Sequence, residues 1–143
     1  MPLFTDTDGD RNRLFGWSLF LAGIAGGMLL GLWAFNGPFP APERFADYAG
    51  VPRRLLRLAH IAAMALGVTN VLFAHELPHV SLSGGSRTLA SWAMITGGLL
   101  MPAVLTIAAF EERWKYLLPL PATATLLGVT LVCVGLTGRG RAQ

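Results

Sequence analysis

Four stretches of this chain, 14–35, 55–75, 89–110 and 116–137, hold no Asp, Glu or Lys and a single Arg, Arg57. Each is close to the ~20 residues with which an α-helix crosses about 30 Å of hydrocarbon at 1.5 Å per residue. In such surroundings the backbone must satisfy its own polar groups, which a helix does. Charged residues make up 13% of the chain, half of the about 25% usual in a soluble domain. The expected fold is therefore all-α. It is an integral membrane protein with four transmembrane helices in an antiparallel bundle, forming one domain over 1–143. A polar N-terminal tail occupies 1–13 and a proline-rich loop 36–54.

The first stretch is too long for the 7–15-residue apolar core of a secretory signal. It also ends in bulky Trp33-Ala34-Phe35 rather than in small residues, so it reads as a retained helix. Cys133 is the one cysteine, which precludes an intrachain disulfide. Trp17, Trp33, Trp92 and Trp114 fall near the ends of the expected helices, where amphipathic rings favour the membrane interface. The net charge of +3 comes from arginines near helix ends. With no basic stripe interleaved with aromatics, that charge suits anionic lipid head groups and speaks against nucleic acid.

Asp6, Asp8 and Asp10 alternate like the start of a calcium loop. That loop also needs Gly at its sixth position and Glu at its twelfth, where this chain has Arg11 and Trp17. The tail thus reads as solvated. Helix 1 carries Gly16, Gly23, Gly27 and Gly31 along one side, a stripe that lets another backbone approach closely. The alternative is a groove for a flat cofactor or a lipid tail. In the loop that follows, Pro38, Pro40 and Pro42 preclude a regular helix. Phe39, Phe45 and Tyr48 are placed to fold it back toward the membrane surface.

Helix 2 is the one apolar run with a cation, an imidazole and a carboxamide. At 100° per residue His60, Met64, Gly67 and Val71 share a face, with Arg53 and Arg57 near the same direction and Asn70 farther round. An ionisable group at membrane depth is costly and marks a candidate site. The candidate cofactor-binding residues are His60, Met64, Gly67, Arg57 and Asn70, with Gly67 leaving room for a ring. Neutral imidazole suits haem iron or a chlorophyll-type magnesium, and it donates to a quinone carbonyl. The competing reading is a structural His60 bonded to a neighbouring helix, with Asn70 as interhelical glue.

His75-Glu76-Leu77-Pro78-His79 resembles a zinc-protease motif in letters only, because Pro78 breaks the helix that would align both histidines. Ser81–Ser86, with Gly84-Gly85, reads as an open turn. Helix 3 brings Gly97-Gly98 as a further packing surface and Pro102 as an expected kink. No metal site and no catalytic constellation are expected. Arg11, Arg13, Arg87, Arg139 and Arg141 lie on one side, and Arg44, Arg53, Arg54, Arg57, Arg113 and Lys115 on the other. So near a balance leaves orientation to the proline-rich loop, whose ordered look puts both termini in the cytoplasm of a bacterial inner membrane.

The segment Arg57-Leu58-Ala59-His60-Ile61, with Gly67 and Asn70 behind it, resembles histidine-bearing helices of respiratory membrane proteins. The comparisons are haem-copper oxidase subunits and the cytochrome b anchors of succinate dehydrogenases. The resemblance implies company with electron-transfer complexes, although the paired histidines of those families are not matched here. The expected role is a non-enzymatic accessory subunit of a respiratory or photosynthetic complex, packed against larger subunits, a second copy or lipid. In that role His60 contacts a haem, pigment or quinone. The alternatives are an autonomous haem or quinone carrier and a small dimeric transporter, the latter disfavoured because no carboxylate lies well inside a helix.

Overall fold

The computed structural model describes residues 7–34 and 37–139. It contains α1 (Thr7–Gly31), α2 (Val51–Glu76), α3 (Gly84–Phe110) and α4 (Pro119–Arg139), all long and apolar enough to cross a membrane. Short 3-10 turns at Glu43–Phe45, Leu77–His79 and Glu112–Leu117 fill the connections. Residues 1–6, 35–36 and 140–143, including part of the expected tails, lie outside the described residues.

Three helices start earlier than expected, and α1 also ends earlier, at Gly31 rather than at 35. The tail expected over 1–13 is helical from Thr7 onward, because Asn12 is fully buried among α1, α2 and α3. Asp8 and Asp10 in the first turn suit the positive end of the helix dipole. Trp17 therefore lies well inside α1, about 15 Å from its start. Helix α2 begins at Val51, inside the stretch read as loop, since Pro52 is pre-organised for a first turn. Helix α3 begins at Gly84, in the segment read as an open turn, because the Ser83 hydroxyl accepts from the Ser86 N–H at 3.3 Å and caps it.

Consecutive helices run antiparallel, as the glycine contacts demonstrate. A Cβ built on Gly16 would meet Gly67 O at 2.6 Å, one on Gly23 would meet Met64 Cγ at 2.6 Å, and one on Gly27 would meet His60 Cδ2 at 3.1 Å. Rising numbers on α1 thus match falling numbers on α2. Gly67 completes the contact from the other side, its would-be Cβ 2.7 Å from Phe20 N and 2.8 Å from Gly16 O. The stripe is a helix-packing surface, and α2 fills it from Gly16 to Gly27. Only Gly31 has open space beside it. Helix α4 packs on α3 in the same manner, with Gly97 against Thr125 and Pro121 and Gly128 against Met94. Gly98 faces Asn70, Phe15 and Leu19.

Apart from Phe45 and Phe73, the buried apolar side chains are small or slender. Phe45, Leu55, Ala59, Leu105, Ala108 and Ala109 form one cluster, and Phe73, Leu77, Ala90 and Met94 form the other. Large apolar side chains such as Leu21, Met28, Leu72 and Leu126 lie on the outside. Water would penalise that exterior heavily, whereas hydrocarbon tails or other helices would match it.

The contact between α1 and α2 yields the first prediction. Gly67→Ala drives a methyl group into the backbone of α1, with an expected loss of about 1–3 kcal/mol. Gly31→Ala meets nothing and is expected to be neutral. Thermal unfolding of the detergent-solubilised protein separates the two variants.

Candidate functional site

At the end of the bundle carrying the first loop, three groups order the chain. Phe45 is buried and stacks on Trp33 with centroids 5.9 Å apart, then meets Phe110 edge-on at 5.5 Å. Arg53, only 6% exposed, donates to Phe45 O at 3.1 Å and to Trp33 O at 2.7 Å. Arg44 donates to Phe110 O. The loop is thereby fixed across the mouths of α1, α2 and α3. Of the three aromatics expected to fold it back, Phe45 does so most fully. Tyr48 serves as a platform for Arg53 and Arg57, whose guanidinium carbons lie 4.9 and 4.2 Å from its ring centre, while Phe39 stays exposed.

His60 sits two turns farther into α2, where three cavities meet. The largest, about 490 Å³, runs between α1, α2 and α3 past Leu19, Gly23, Ala63, Leu99, Pro102 and Thr106. Thr106 spends its hydroxyl on Pro102 O at 2.8 Å, which leaves His60 and Trp33 as the lining residues whose side chains can still hydrogen-bond. A second cavity of about 180 Å³ is bounded by Gly27, Gly31, Tyr48, Arg53, Arg57 and His60. A third, about 440 Å³, opens on the outer side of α2 beside Tyr48, Arg54 and Arg57. The His60 ring rests on Gly27, and its Nδ1 is enclosed without a hydrogen-bond partner. A buried polar atom left unpaired is uncommon and calls for a reason.

The residues singled out in the sequence therefore separate. His60 and Arg57 line shared cavities. Met64 and Gly67 instead face α1, Met64 lying against Gly23 and Gly67 against Phe20, so the glycine gap expected beside a ring is filled by helix α1. Asn70 belongs to a different construction at the far end of the bundle. It accepts from Asn12 Nδ2 at 2.9 Å and donates to Leu66 O at 2.9 Å and Met94 O at 3.3 Å. Asn12 also donates to Ser91 O at 3.3 Å, and the Ser91 hydroxyl donates to Asn12 Oδ1. Arg11 adds bonds to Ser91 Oγ at 2.8 Å and Asp8 at 2.7 Å, and Thr88 reaches Asp8 at 2.9 Å.

This amide knot ties α1, α2 and α3 together. The sequence reading missed Asn12 and Ser91. For Asn12 the signal was there: Gly9, Asn12, Gly16, Leu19 and Gly23, the buried side of α1, recur at three- and four-residue steps.

His75 and His79 approach edge to face with centroids 5.9 Å apart, beside a cavity also lined by Asp10 and Arg13. Among the described residues no three His, Cys, Asp or Glu side chains gather as a metal site requires. His75 and His79 lie at the opposite end of the bundle from His60, so the chain places no second imidazole beside it. No family model, curated protein or solved structure matches the chain.

Asn70 and His60, both on α2, thus call for opposite outcomes. Asn70→Leu strands the buried Asn12 and is expected to cost about 1–3 kcal/mol. His60→Leu removes an unpaired buried nitrogen and is expected to leave stability unchanged or raise it by about 1 kcal/mol. Thermal melts of the two variants in one detergent measure both.

Proposed function

We propose that this chain is an integral membrane protein of the bacterial inner membrane, acting as a non-catalytic accessory subunit of an energy-transducing electron-transport complex. In that role it holds the head of a lipid-soluble quinone against His60. The observation that carries this reading is the imidazole with an enclosed, unpaired Nδ1 at the head of an apolar cavity of about 490 Å³. That volume is within the about 300–1,000 Å³ typical of small-molecule sites.

A neutral imidazole carries one N–H. Enclosing a bare lone pair at Nδ1 is less costly than enclosing an unsatisfied N–H, which favours the proton on Nε2. From Nε2 the ring donates to a carbonyl oxygen, the polar group a quinone presents, while the isoprenoid tail follows the apolar walls. A tetrapyrrole fits less well. Centred on Nε2 it needs clear space on all sides, and α1 stands at Gly27, where a side chain would begin 3.5 Å from that nitrogen.

The accessory role draws on the outer helices. Only 17% of the most apolar window of α1 and 11% of that of α4 is buried within the chain, which leaves broad faces for larger subunits or lipid. The test is extraction of tagged protein from its own membranes in a mild detergent. Co-migration with a large assembly is expected, with quinone in the extract. His60→Ala is expected to keep the assembly and to lower bound quinone about tenfold, the worth of one hydrogen bond of about 1.4 kcal/mol. Migration as a lone monomer or dimer contradicts the accessory role, and undiminished quinone in His60→Ala contradicts the site.

A further inference from the structure

We propose that the first turns of α2 form a binding site for the head group of an anionic phospholipid, with Arg54 and Arg57 on its phosphate and the outer face of α2 along its acyl chains. This inference rests on Arg54 and Arg57; His60 also borders their cavity, but the lipid site does not depend on the quinone reading.

The cations of the chain are used in different ways. At the far end of the bundle Arg11 pairs with Asp8 at 2.7 Å and Arg13 with Asp10 at 2.9 Å. At the near end Arg113 pairs with Glu111 at 2.6 Å and Lys115 with Glu112 at 3.4 Å, while Arg44 and Arg53 are bound by backbone carbonyls. Arg54 and Arg57 have no carboxylate within ion-pairing reach among the described residues. The nearby Asp47 accepts from the Ala49 N–H at 2.9 Å instead. Both arginines line the outer cavity of about 440 Å³, and Tyr48 steadies Arg57 from one side.

What lies beyond them completes an amphiphile's outline. Leu58 is one turn beyond Arg54 and Ile61 one turn beyond Arg57. Both line the same cavity and are about half exposed, at 51% and 54%. Val68 and Leu72 continue the exposed apolar track along α2. Two guanidinium groups at the end of an apolar helix face match a phosphate above two hydrocarbon chains. The positive end of the α2 dipole adds to the same field.

The test is native mass spectrometry of the full chain in detergent micelles, with phosphatidylglycerol and phosphatidylcholine of identical chains supplied in equal amounts. The unaltered protein is expected to retain phosphatidylglycerol about tenfold over phosphatidylcholine, from two cations at the surface. R54Q/R57Q is expected to bring the ratio within about twofold of unity. R113Q/K115Q, which removes equal charge from the same end of the bundle, is expected to keep the preference, and so is His60→Leu. Because Arg54 is exposed, R54Q alone carries the test if the double variant fails to fold, with an expected loss of about threefold or more. An unaltered protein without preference, or an equal loss in R113Q/K115Q, overturns the proposal. Displacement of the lipid by free glycerol phosphate would mean a site for soluble anions and also overturns it.

Discussion

Helices α1 and α2 approach closely because Gly16, Gly23 and Gly67 bring backbone against backbone and Gly27 leaves room for the His60 ring. Attraction in a hydrocarbon setting comes from packing rather than from release of water, so it depends on such close contact. The same contact lays the His60 ring on Gly27 and fixes the register that brings Asn12 to Asn70. Moving α1 away would loosen the amide knot and open the histidine together. Site and scaffold are thus set by one interface.

Polar groups are distributed unequally along α2. At one end, amides and hydroxyls from three helices satisfy one another, and Asn12, Asn70 and Ser91 are fully buried. Such a network rigidifies because any displacement strands a polar atom. At the other end Arg53 is consumed by carbonyls, whereas Nδ1 of His60 is left without a partner. A chain that satisfies its buried amides so fully has a local inconsistency at His60, and such inconsistencies concentrate where a protein does its work.

The four helices were legible because charge is missing from four windows of the right length. Their ends were less so. Ser83 caps α3 and Asn12 is drawn into the core by partners on other helices, and neither relation shows in a window of hydropathy. The glycine stripe was legible as a packing surface, since small residues at helical spacing have that bland meaning. Met64 and Gly67 share with His60 the face of α2 that meets a neighbour. Which neighbour that face meets is a tertiary fact, and the neighbour proved to be α1. Likewise, the groove beside His60 needs Leu99, Pro102 and Thr106 of α3 in register, which no local pattern encodes.

The central claim is that His60 keeps an imidazole in readiness for a ligand rather than bonded to its own fold. Solid-state nitrogen NMR of the histidine-labelled protein in bilayers tests this directly, because His75 and His79 are the only other histidines to assign. The account predicts a neutral ring with a non-bonded Nδ1 and a protonated Nε2 whose resonance moves when quinone is added. A hydrogen-bonded Nδ1 in the ligand-free protein, with no response to quinone at either nitrogen, would contradict it.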